Sequence, residues 1–476
     1  EGRLLALAQC YKAIGLIAKA EDCYRQAVAD RPNDPVVLRS AAEFYLQQNQ
    51  PRQAKESVEK MLRLGEKLKT SDTHWARRSM AVLMLEGGYR NLLPAIALVD
   101  RNLQSPQAAN EDRCVKAMLL ASHPRLEERR QSVRMLEEVL RQDRSLSRYR
   151  LVAADVYRKL GDWGGEARHM RDFLASNPSH PAALAAYVRG MLQHNELTDA
   201  AEWINRLERT APDSLETARL RLVWLLKRGE YDKATKRLTA IRFNKEDSGP
   251  AVADSGPSKL ARQLPDLLAA LAPAAAECRH DAKAASFLAA AEKMLRELAA
   301  VDPAKAMALA GWLAHLGRTG ESLEVVERYG PTPPPQPLQQ TLLKLQTACL
   351  KQPALAERML KLVGDLSVRF DRPTAFLLIQ AELETALGHY QEAENRYREA
   401  VQKQPSNVVA CNNLAVLLAL QKKDLDEALK LVSVAMEEAG PLATLRDSLA
   451  VVHLARGNAQ GGGILVGHAA AQNPAQ

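Results

Sequence analysis

Seven residues at fixed offsets constrain this chain more than anything else in it. Between Thr374 and Asn407 they are Leu377, Ala381, Gly388, Ala393, Tyr397, Ala400 and Pro405. The same offsets return at residues 1–34 as Leu4, Ala8, Gly15, Ala20, Tyr24, Ala27 and Pro32. Leu377, Leu378, Ala381 and Leu383 form an apolar stripe at helical spacing. Gly388 ends that helix, because glycine accepts the left-handed conformation of a helix C-terminus. Ala393, Tyr397 and Ala400, at i, i+4 and i+7, form a second stripe, and Pro405 stops the second helix. Alanines at three of these places let two antiparallel helices approach closely, with Tyr397 filling the space beside them. One such hairpin cannot bury its own apolar face, so stacking on its neighbours is obligatory.

This pattern resembles the tetratricopeptide repeat, a helical hairpin of 34 residues with small, aromatic and proline positions in this order. The resemblance implies an all-α fold, a right-handed α-α superhelix of about thirteen helix-turn-helix units. Eight units match strongly and five weakly. The third, about residues 71–109, keeps little more than Trp75, Gly87 and Ala95. Composition agrees, since 46% of residues are hydrophobic and suit an alanine- and leucine-rich array.

The pattern divides the chain. Residues 1–243 read as an N-terminal array of about seven units. Residues 244–258, NKEDSGPAVADSGPS, have no apolar stripe and two Ser-Gly-Pro triplets. They are expected to form an exposed linker, or else a long insertion within the eighth unit. Residues 259–330 hold degenerate units and 331–337, PTPPPQP, a polyproline spacer. Residues 338–476 form a C-terminal array, whose last helix carries Gly461, Gly462 and Gly463 and is expected to fray. The chain begins and ends in register with a unit and shows no polar capping helix, the pattern expected of a segment of a longer protein.

No catalytic signature occurs: there is no HExxH, GxSxG, phosphate loop or dinucleotide fingerprint. No metal or cofactor is expected. The six cysteines form no CxxC pair and read as buried free thiols, which leans toward a reducing, cytoplasmic compartment. No apolar run is long enough to span a membrane. The net charge of +8 is modest, and aromatic content of 5% is poor material for stacking bases, so nucleic acid is not the expected partner. The five tryptophans read as packing residues.

The first helix of each unit lines the concave groove in tetratricopeptide-like arrays, as the resemblance implies. The groove places of units five to seven hold Arg148, Arg158, Lys159, Arg189, Arg219 and Lys227, with Asp155 and Glu216 the acids among them. Toward the C-terminus the same places hold Val409, Asn412, Val416 and Leu420. A groove basic in the middle and apolar at the end suits an acidic peptide that arginine can grip bidentately. The expected function is a non-catalytic scaffold that binds peptide segments or partner subunits. The alternative is the regulatory or substrate-recruiting region of a larger enzyme. An RNA-binding helical array is a third reading, disfavoured because no polar code recurs.

Overall fold

The computed structural model describes residues 3–243, 259–330 and 335–458, and these form 26 α-helices, numbered α1 to α26 in chain order, with no strand among them. The expected all-α architecture is what the chain adopts. The opening repeat forms α22 (Thr374–Ala386) and α23 (Tyr390–Lys403). Between them Gly388 takes φ +83°, the left-handed turn its sequence position predicts. At the same place in two other units stand Asn49 and Asn195, with φ of 56° and 60°, since asparagine also tolerates this conformation. Ala381, Ala393 and Ala400 are fully buried and Tyr397 is 3% exposed, so the close helix contact is real.

Helix starts are built where one unit's terminal proline hands over to the next. Asp34 caps α3 (Pro35–Gln47) by accepting from the Val36 N–H at 2.9 Å, with Pro35 in the first turn. Asn407 does the same for α24 (Val408–Leu420), accepting from the Ala410 N–H at 3.0 Å. Many first helices pack both on their own second helix and on the first helix of the next unit, as α5 (Thr70–Met84) does on α6 (Tyr89–Leu103) and α7 (Asn110–Ala121).

The chain divides into two compact units. Among the described residues, unit 1 comprises 3–169 and 435–447, and unit 2 comprises 170–434 and 448–458. In unit 1 the returning segment sits against the third and fourth repeats. Gly440, at φ +80°, lies so close that an added Cβ would come within 2.7 Å of the Tyr89 ring and 2.9 Å of Pro124. Arg90 Nη1 reaches Glu438 Oε1 at 2.9 Å.

The weakly matching third repeat is a complete hairpin, α5 and α6. Its turn falls one residue later than the sequence suggests, since Gly88 rather than Gly87 has positive φ. A buried polar cluster joins it to the fourth repeat. Asp112, fully buried on α7, accepts from Arg78 Nη1 at 2.8 Å, Asn102 Nδ2 at 2.8 Å and its own helix's Ala109 N–H at 2.9 Å. Burial pushes the Asp112 carboxyl up, but these donors more than offset it and hold its pKa below the usual carboxylate range.

The linker expected at 244–258 and the triple glycine Gly461–Gly463 lie outside the described residues. The helices that flank 244–258 pack together: α13 (Leu215–Lys227) on α16 (Leu264–Cys278), and α14 (Tyr231–Phe243) on α17 (Ala285–Val301). Tyr231 Oη donates to Asp281 Oδ2 at 2.8 Å, and Arg242 pairs with Glu297 at 2.6 Å. We propose that 244–258 is an insertion within the eighth unit, since the helices on either side of it pack as consecutive repeats do. Limited proteolysis is therefore expected to cut first within 244–258, where the sequence offers Gly and Pro and no apolar stripe. The two fragments should co-elute on gel filtration. Separate elution would support the linker reading instead, and first cuts within 181–240 would remove both.

Two further expectations need correction. The polyproline spacer does not run through 337, because Pro335, Gln336 and Pro337 open α20 (Pro335–Cys349), and proline fits a helix's first turn; 331–334 lie outside the described residues. The thiols are not uniformly buried: Cys10 is exposed, because α1 (Arg3–Ala13) packs chiefly on α2 (Ile17–Asp30), and Cys278, the last residue of α16, is half-buried. The tryptophans do pack, Trp312 being fully buried and Trp224 8% exposed.

Candidate partner-binding face

The six basic groove residues fall in both units, three in each. In unit 1, Arg148 precedes α9 (Arg150–Lys159) and pairs with Glu111 of α7, its guanidinium also stacked 5.0 Å from the Tyr149 ring centre. Arg158 and Lys159 both pair with Asp155 one turn earlier on α9, Lys159 Nζ at 2.8 Å. Burial raises the Asp155 carboxyl, and these two cations bring it net below its ordinary pKa. In unit 2, Arg189 of α11 (Pro181–Gln193) and Arg219 of α13 converge on one carboxylate, Glu216, at 2.6 and 2.7 Å. Glu216 is likewise held low by its two arginines against the opposing effect of burial. Lys227 Nζ reaches Glu277 Oε2 on α16 at 2.9 Å.

Every predicted groove cation therefore already has an acidic partner. Sequence reading recognised Asp155 and Glu216 but missed Glu111 and Glu277. Glu111 occupies the second place of the fourth repeat, a legible groove position. Glu277 lies just beyond 244–258, where the repeat register is lost. The Arg189–Glu216–Arg219 triad keeps one net positive charge, so the basic character is reduced and not abolished.

The C-terminal part of the face is different. Val409, Asn412, Val416 and Leu420 share one side of α24. Val409 is 48% and Leu420 70% exposed, with Val416 half-buried between them. Asn412 Nδ2 donates to Asn413 Oδ1 at 3.2 Å, and Asn413 Nδ2 donates to Glu382 Oε1 of α22 at 3.2 Å. Gln346 Nε2 of α20 donates to Glu382 Oε2 at 2.6 Å. A chain of polar side chains thus crosses three successive first helices. Burial raises the Glu382 pKa, and the two amide donors only partly oppose it. Asn412 Oδ1 is buried and meets no donor among the described residues. Gln346 and Glu382 were not anticipated; each stands at the ninth place of its unit, where a polar residue at groove spacing is the available signal.

Reactive chemistry finds no support in the remaining clusters. His169 Nε2 meets Glu137 Oε1 at 3.0 Å, and Tyr157 Oη donates to the same oxygen at 2.8 Å, a part-buried staple between α8 (Leu126–Gln142), α9 and the middle of α10 (Trp163–Ser176). Burial pushes the Cys114 thiol up to about 12 and Cys349 to about 11, the reverse of what a nucleophilic thiolate requires. Among the described residues no group of His, Cys, Asp and Glu could hold a metal ion, and no helix is long and apolar enough to cross a membrane.

A family profile described as tetratricopeptide repeat matches residues 151–214 and 380–443. Three solved structures are similar over nearly the whole chain. Naa15/Naa10 bound to HypK-THB gives 14% identity and a TM-score of 0.31, covering 99% of this chain and 67% of that one. The APC/C hetero-tetramer Cut9–Hcn1 gives 12% and 0.39, covering 99% and 87%. Yeast Tom70 gives 14% and 0.34, covering 98% of each chain. No curated protein matches by sequence.

Proposed function

We propose that this chain, whose helical hairpins are tetratricopeptide repeats, works as a non-catalytic scaffold that receives a segment of a partner protein on its first-helix face. The α24 side carries the reading. It combines an exposed leucine, Leu420, with an exposed valine, Val409, and a buried carbonyl oxygen, Asn412 Oδ1, that lacks a donor. An apolar anchor beside an unsatisfied acceptor suits a polypeptide, which supplies an apolar side chain and a backbone N–H together. The paired cations of the fifth to seventh repeats bind an acidic segment only by competing with Glu111, Asp155, Glu216 and Glu277. They are better placed to set orientation and association rate than to provide the main affinity.

The test is affinity capture followed by binding measurements on the captured partner. Val409→Asp with Leu420→Asp should weaken binding at least about tenfold, since anchor residues commonly contribute 2 kcal/mol or more. Arg189→Gln with Arg219→Gln should change affinity about threefold or less, with a steeper effect at low salt. The opposite ranking at equal melting temperatures would move the site to the basic stretch.

A further inference from the structure

We propose that a cleft in the third repeat is a phosphate-binding site. It has a volume of about 440 Å³ and lies between the end of α4 (Pro51–Arg63), the first half of α5 and the end of α6. Thr70, Thr73, His74 and Arg77 face it from α5 at i, i+3, i+4 and i+7, and Arg101 and Ser105 face it from α6 and the residues after it.

The two arginines carry the inference. The groove cations described above are each joined to a carboxylate. Neither Arg77 nor Arg101 enters an ion pair among the described residues. Arg77 is nevertheless fixed, because its Nη1 donates to Asn102 Oδ1 at 3.3 Å. Asn102 is fully buried and is itself locked by donating to the His74 carbonyl at 3.0 Å and to Asp112 at 2.8 Å. One guanidinium is thus held at the wall by a neutral amide, with its charge uncompensated. The second stands across the cleft, and the Thr70 and Ser105 side chains also line it, while the Thr73 hydroxyl donates to the Lys69 carbonyl at 3.2 Å. Thr70 opens α5, and its N-cap Lys69 makes no side-chain cap, so the positive end of that helix adds to the same field. Two guanidinium forks with hydroxyl donors match a tetrahedral dianion, which offers several acceptor oxygens at once. Glu66 is the one carboxylate lining the cleft; it is exposed at the rim and opposes an anion.

The experiment measures binding of inorganic phosphate, of a phosphoserine peptide and of its unphosphorylated parent to the whole chain, by calorimetry at constant ionic strength. Phosphate should bind, and Arg101→Gln should weaken it about tenfold, a charge-assisted pair of hydrogen bonds being lost from an exposed side chain that folding does not need. Arg77→Gln should do the same, and Glu66→Gln should tighten binding about threefold. Tighter binding of the phosphopeptide than of phosphate identifies a modified protein as the source, and equal binding identifies free phosphate. Phosphate affinity unchanged in Arg101→Gln and Glu66→Gln, or no binding by the wild-type chain, overturns the proposal.

Discussion

Asp112→Ala is expected to cost about 3–5 kcal/mol, the loss that follows when one partner of a buried charged pair is removed. The substitution removes the buried acceptor shared by Arg78 and Asn102, leaving Arg78 only Glu111 and Asn102 only the His74 carbonyl, and frees the Ala109 N–H. Because a repeat array is stabilised by nearest-neighbour interfaces, the damage should be local. The first three repeats should melt in a separate, earlier step, visible as a second transition by calorimetry. The same carboxylate gives a pH signature. Its folded pKa is depressed, so the stability it contributes is present above the unfolded value of about 3.9 and is lost as pH falls through the folded value. The difference in stability between wild type and Asp112→Ala should therefore be constant from pH 7 to 5 and narrow below about pH 4. A single unshifted transition would show that the cluster does not couple the third and fourth repeats.

Trp312→Ala should be as severe, at about 3–5 kcal/mol, because a fully buried indole leaves a cavity that a close-packed helical pair fills poorly. Trp312 lies on α18 (Ala306–His315), which packs on α16, α17, α19 (Thr319–Tyr329) and α20, so the loss spreads to the eighth and tenth repeats. Its Nε1–H is buried and has no acceptor among the described residues. Trp312→Phe keeps an aromatic ring and removes that unsatisfied donor, so it should cost clearly less than Trp312→Ala. Equal losses from the two variants, measured by denaturant unfolding, would mean that ring packing is not what Trp312 contributes.

The hairpins were legible because their requirements are local. Ala381, Ala393 and Ala400 must be small where helices touch, and Gly388 must accept a left-handed turn. Such needs repeat with the unit, and even the eroded third repeat kept Ala95 in the core. The electrostatics were not legible to the same degree. Arg148, Arg189 and Lys227 find partners 37, 27 and 50 residues away, on neighbouring helices, and only the stacked structure brings those charges together. The register around Glu277 was hidden for a different reason, because the residues between Ile241 and Ala291 do not preserve the repeat spacing. Gln346 and Glu382 escaped notice since a single polar residue on an apolar helix looks like surface until its partner on the next repeat is seen.

Hydrogen exchange of the whole chain, free and bound to a captured partner, tests the scaffold reading most directly. Binding on the first-helix face predicts slower exchange along α24, from Val408 to Leu420, and along α22 around Glu382, with the second helices α23 and α25 (Leu425–Ala439) unchanged. Slowing confined to second helices, or absent from residues 374–420, would contradict it.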